Sequence, residues 1–270
     1  MNNNQITIPT RVEGKPFYSS RADVALRECQ VEHEALFMPQ LADARVLDQN
    51  KQSLLWNDWY TTTSIRATGT TKQGSPVVVY AHVPNYFSNP ENIRAAIEQG
   101  LLFYAGRMPL EEFQRLLDLK DDKNVFVIDH DKLKSSTSNV VSTKDALKHP
   151  QTIPFLGGEE RAEQYIKAHE KIFGNRIGIW HSDDLKDVPL GRLLYVGDGD
   201  YGGLDGSSLG SSARFVGVRR GSAEGAQNFS GPSQTSQKSP TIEQILTLAE
   251  DYVPKVVHKD FERRLKQFYK

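Results

Sequence analysis

Four short apolar runs, Val77–Tyr80, Val125–Ile128, Ile177–Trp180 and Leu193–Val196, constrain this chain more than any other feature. Each is rich in β-branched or aromatic residues and bounded by polar or turn-forming ones, as interior strands are. Their apolar character is continuous rather than alternating, which predicts a sheet covered on both faces, and such sheets are commonly parallel. Helical patterns lie between them. Ser88 or Asn89 caps a helix opened by Pro90, Pro109 opens another, and Glu159–Ile172 carries an apolar face at helical spacing. The expected fold is α/β, with α+β as the alternative. It has a mixed, largely parallel central sheet flanked by helices, with an N-terminal hairpin over Tyr60–Tyr80 and a C-terminal amphipathic helix.

The chain of 270 residues divides by pattern into an N-terminal arm and helix (1–40), a core domain (41–221), a Ser/Gly/Gln-rich linker (222–240) and a C-terminal helix (241–270) that packs on the core or on a partner. With 33 basic and 34 acidic side chains, the balance disfavours a nucleic-acid partner. No apolar run has the length of a membrane span and the first residues lack a secretory pattern, so a cytoplasmic protein with no membrane partner is expected. The single cysteine, Cys29, excludes an intrachain disulfide and a cysteine-built zinc site.

Three stretches resist a firm reading. Gly100–Gly106 is apolar and fits either strand or helix. Gly197–Gly210, with six glycines and three aspartates, reads as a mobile lid or connector, because it lacks the ligand spacing of a calcium loop. Trp56 and Trp59 belong to a core or to a partner surface, and core packing is favoured.

If the runs are parallel strands, their C-terminal tips meet at one edge, where open α/β sheets bind ligands. The tips carry His82, His130 and His181, with Asp131 and Asp183 beside them. His82, His130, His181 and Asp131 form a candidate set for a divalent metal ion, the one cofactor expected. His82, His130, His181 and Asp183 form a candidate catalytic set, with an aspartate orienting a histidine base. Lys132 and Ser135 in a polar loop, and Arg219 and Arg220 after a strand, are candidates for holding an oxyanion. The function expected is an intracellular hydrolase or transferase acting on a small anionic substrate, phosphorylated ones included, at the polar edge of the sheet. The alternatives are a non-catalytic nucleotide or anion-binding module and a self-associating structural protein, a homo-oligomer being compatible with both. No Walker loop, nucleophile elbow or dinucleotide glycine pattern occurs.

Overall fold

The structure is a computed structural model that describes residues 6–8, 12–48, 50–182, 185–198 and 203–219. The chain divides into two compact units, 1–226 and 227–270, and every described residue belongs to the first. The linker and C-terminal helix expected over 222–240 and 241–270 lie outside the described residues.

In chain order the elements are β1 (Ile6–Ile8), β2 (Val12–Ser19), α1 (Ala22–Gln30), β3 (His33–Ala35), α2 (Met38–Leu47), α3 (Leu54–Asn57), β4 (Tyr60–Thr70), β5 (Pro76–Ala81) and α4 (Pro90–Glu98). Then come β6 (Gly106–Arg107), α5 (Leu110–Asp118), β7 (Val125–Asp129), α6 (His130–Lys134), β8 (Asn139–Ser142), α7 (Thr143–Ala146), α8 (Thr152–Leu156) and α9 (Glu159–Phe173). The last are β9 (Arg176–Ile179), β10 (Leu190–Val196), β11 (Leu204–Ser207) and β12 (Ala213–Arg219). A four-stranded sheet runs β1-β2-β12-β3, and an eight-stranded sheet runs β7-β5-β4-β10-β11-β9-β8 with β6 beside β10. No helix among the described residues is long and apolar enough to cross a membrane.

The expected largely parallel α/β sheet is not what forms. Among the described strands only β11 and β9 pair in parallel, and every other pairing is antiparallel. The runs in β5 and β10 are continuous because these inner strands are buried on both faces, a condition that does not depend on strand direction, whereas Val127 on the edge strand β7 is exposed. Along β5, Val78 and Tyr80 enter one core with Trp56, Phe155 and Tyr165. Val79 and Ala81 enter the other with Phe87, Ile93 and Phe113. Strand β10 is shared in the same way, Leu194 and Val196 going to the first core and Leu193 to the second.

Local chemistry sets the ends of several elements. The Asn89 side chain accepts from the Glu91 amide ahead of α4, and Pro109 stands immediately before α5. The β4–β5 hairpin forms as the sequence predicts, with Thr70 opposite Pro76 and Gly74 taking a φ of 86° in the turn. Gly100–Gly106 resolves into a second hairpin. Leu102 and Ala105 exchange backbone hydrogen bonds of 2.9 and 2.8 Å around Phe103 and Tyr104.

Candidate functional site

The antiparallel order separates the histidines that a parallel sheet would gather. Ala81 pairs with Val125 and Val77 with Asp129, so His82 follows one end of the β5–β7 ladder and His130 follows the other. At ~3.4 Å per residue that is on the order of 15 Å apart. His82 is fully buried, with both ring nitrogens engaged. Its Nε2–H donates to the Pro154 carbonyl at 2.9 Å, leaving Nδ1 to accept from the Ser64 hydroxyl at 2.9 Å, while Ser64 Oγ accepts from the Met38 amide at 2.8 Å. Burial lowers the His82 pKa to about 4, against the opposing pull of the Pro154 carbonyl. His82 therefore ties β4, α2 and α8 together as a neutral ring.

The other predicted residues also have structural surroundings. His130 is buried at the start of α6, with Nδ1 3.4 Å from Asp131 Oδ1. His181 donates from Nε2 to Ser136 Oγ at 3.2 Å, since the Ser136 hydroxyl proton goes to the Leu133 carbonyl. Its ring lies 5.7 Å from that of His149, whose nitrogens are held by the Thr137 carbonyl and the Gln151 amide. Lys132 and Ser135 are exposed in and after α6, whereas Arg219 ends β12 in the smaller sheet, opposite His33. Asp183 and Arg220 lie outside the described residues. Among the described residues no group of three or more His, Cys, Asp or Glu is placed to hold a metal ion.

The structure instead assembles a face from residues far apart in sequence. Tyr18 on β2 lies opposite Arg214 on β12, and Tyr195 on β10 lies opposite Asp205 on β11. Trp59, just before β4, joins the two pairs. Its ring is 6.0 Å from Tyr18 in an edge-on arrangement and 5.8 Å from Tyr195. The Arg214 guanidinium sits 5.4 Å from the Tyr18 ring and 5.3 Å from the Trp59 ring, and it forms an ion pair with Asp58. Burial lowers the Arg214 pKa. The Tyr195 phenol is shifted upward, first by burial and then by the negative charge of Asp198 and Asp205. Trp59, Tyr195, Asp205, Ser207, Ser208, Ser211 and Ser212 border an open depression of about 270 Å³.

Arg45 on α2 fixes this face from beneath. It is buried against the Trp56 ring, and its guanidinium donates to the carbonyls of Asp58 (2.9 Å) and Gly197 (3.1 Å) and to the Tyr165 hydroxyl (2.9 Å). Those carbonyls flank Trp59 on one side and follow Tyr195–Val196 on the other, so one side chain holds both strand ends. The two tryptophans thus part company: Trp56 is fully buried, while Trp59 is only partly covered. The expected mobile lid contains a strand, β11, whose Asp205 and Ser207 contribute to the face. The signal available in the sequence was Trp59 itself, three residues from a core tryptophan in a segment too short to bury both. Tyr18, Tyr195 and Arg214 carried none.

No protein-family model matches the chain, and no curated protein matches it. A solved structure, described as the accommodation of massive sequence variation in Nanoarchaeota by the C-type lectin fold, is similar to it at 60% identity and a TM-score of 0.75. The likeness covers 78% of this chain and 100% of that one. It overturns the expected parallel α/β fold and the expected hydrolase or transferase, and favours a non-catalytic binding or structural module. C-type lectin folds often bind calcium, so the fold is compatible with a divalent metal, but the expected set of His82, His130, His181 and Asp131 does not fit one. His82 has no free nitrogen, and His130 stands at the far end of the strand ladder. At this identity and coverage, the chain belongs to the C-type lectin fold proteins represented by that nanoarchaeal structure.

Proposed function

We propose that this chain is a recognition module that binds a polypeptide ligand through the face built by Tyr18, Trp59, Tyr195, Arg214 and the serines of 207–212. The observation that carries this reading is the partly exposed Tyr18–Arg214–Trp59–Tyr195 stack beside a serine-lined depression. Tyrosine and tryptophan supply large contact area with few rotatable bonds, arginine supplies directional donors, and serine supplies adaptable hydrogen bonding. Together they are the composition of antibody-type binding surfaces. The charges favour such a ligand over a small anion. Arg214 is already engaged by Asp58, and Asp198 and Asp205 add negative charge beside Tyr195.

The nanoarchaeal structure concerns accommodation of massive sequence variation. Carried to this chain, that supports side chains on this face that change while Arg45 and the two cores hold the backbone. The test is to screen the full chain against displayed protein fragments, glycans and nucleotides, with Trp59→Ala and Tyr195→Ala beside it. A polypeptide ligand should be captured by the wild type and bound roughly tenfold or more weakly by each variant. A glycan or nucleotide ligand, or binding indifferent to both substitutions, overturns the proposal. Running the same titration with calcium and with a chelator decides whether a divalent ion takes part.

A further inference from the structure

The Leu102–Ala105 hairpin has a corner that local backbone chemistry disfavours. Phe103 and Tyr104 occupy its two central positions with φ of 50° and 66°, and they are the only described non-glycine residues with positive φ. Two-residue turns of this left-handed kind are ordinarily Asn-Gly or Gly-Gly, because a Cβ crowds the backbone there. Burial of the two rings does not return that cost. Phe103 is 52% and Tyr104 71% exposed, and Lys186 Nζ lies 4.7 Å above the Phe103 ring. The turn is nevertheless held firmly: the Phe103 carbonyl accepts from the Arg192 guanidinium and the Tyr104 carbonyl from the Leu209 amide at 3.3 Å. Leu209 is fully buried, and its neighbour Ser208 borders the depression of the recognition face. A strained, anchored corner that displays two aromatic rings beside a binding face points to use of the rings rather than to folding.

We infer that the Phe103–Tyr104 turn is a second contact element of the same module, a rigid aromatic knuckle that inserts into an apolar pocket rimmed by carboxylates on a protein partner. This extends the recognition reading and rests on it. The partner's shape follows from convexity, since a protruding pair of rings fits a concave surface. Its rim follows from charge: Lys186 sits over Phe103, and Arg107, at the base of the hairpin, donates to the Gly100 carbonyl at 2.5 Å. A fixed backbone geometry serves a shaped pocket, where preorganisation reduces the cost of ordering on binding. A fluid bilayer accepts any conformer of an exposed aromatic pair and so has no use for a strained, fixed turn.

The test uses the full chain and peptides selected against it from an unbiased displayed library, compared with the double variant Phe103→Asn/Tyr104→Gly. That variant keeps the turn and relieves the backbone, so its thermal midpoint should rise by roughly 4 °C. The selected peptides should carry apolar residues with Asp or Glu and bind the variant about tenfold or more weakly. A library that yields no such peptide, peptides that bind the variant as tightly as the wild type, or a variant that melts lower overturns the inference. Turn-dependent sedimentation with phosphatidylserine–phosphatidylcholine vesicles also overturns it in favour of a membrane. Peptides sensitive to Trp59→Ala and Tyr195→Ala but blind to the turn variant sink the knuckle and leave the face standing. Peptides with the opposite sensitivity sink the face and leave the knuckle as the module's contact in its place, not as a second element.

Discussion

His82 shows how a polar residue reads when burial and partners are known. A neutral imidazole with one donor and one acceptor nitrogen suits its two partners, and the charged form has no place there. Its folded pKa, about 4, lies below the ordinary histidine value of 6.5, so the unfolded chain binds the proton first. The stability His82 contributes is therefore full above pH 6.5 and is lost as pH falls toward 4. Between pH 7 and 5 that loss is about 2 kcal/mol. Urea unfolding at the two pH values should show a drop in the wild type that is smaller by this amount in His82→Gln. An equal drop in both proteins would remove the residue from the linkage. Arg45 is a second residue whose role follows from its partners. Arg45→Met keeps the stem but leaves the carbonyls of Asp58 and Gly197 and the Tyr165 hydroxyl without their donor, at about 1–3 kcal/mol for each group left buried and unpaired. Destabilisation of that order by chemical unfolding, with a changed Trp59 fluorescence, is the expected result.

Elements were legible where burial alone decides them. The runs at Val77, Val125, Ile177 and Leu193 all fall on strands, with Trp180 just past the end of β9, and Pro90, Pro109 and Glu159 all mark helix starts. Direction was not legible, because an antiparallel strand between two cores presents the same continuous apolar run as a parallel one. With direction went the candidate site: three histidines on parallel tips converge, and on alternating tips they do not. The Phe103–Tyr104 hairpin escaped for another reason, since it lacks the Gly or Asn that announces such a turn. Strand β12 gives a test at this scale. It packs in the smaller sheet against α1, and a Cβ added at Gly217 would lie 2.6 Å from Cys29 Sγ, 2.8 Å from His33 Cβ and 2.9 Å from the Phe17 ring. With neighbours on three sides, the site has no direction in which to relax. Gly217→Ala should cost about 1–3 kcal/mol, measured by urea unfolding, and a neutral effect would show that α1 and β3 move aside easily.

Across the first compact unit, the two cores and the recognition face are separate sets of residues. Trp56, Tyr60, Tyr80, Phe155 and Tyr165 fill one core and Phe87, Phe113 and Phe215 the other, while Tyr18, Trp59 and Tyr195 belong to neither buried cluster. The face is carried by strand ends whose backbone is held from below by Arg45, which donates to main-chain carbonyls and so is indifferent to the side chains displayed there. A backbone fixed in this way permits several face residues to change together. The triple variant Tyr18→Ser/Trp59→Ser/Tyr195→Ser should therefore remain folded, at a total cost of roughly 1–3 kcal/mol, since each ring is at least partly in solvent. The single substitution Trp56→Ala, three positions from Trp59, should cost more, about 3–5 kcal/mol. It empties a fully buried site between Arg45 and Tyr165 and removes the indole N–H that donates to the Arg45 carbonyl at 3.0 Å. Urea midpoints of the two variants set side by side give the ordering directly. If the triple variant unfolds more readily than Trp56→Ala, the aromatic stack is part of the scaffold. Binding and folding would then draw on the same residues, and the face could not vary independently of the fold.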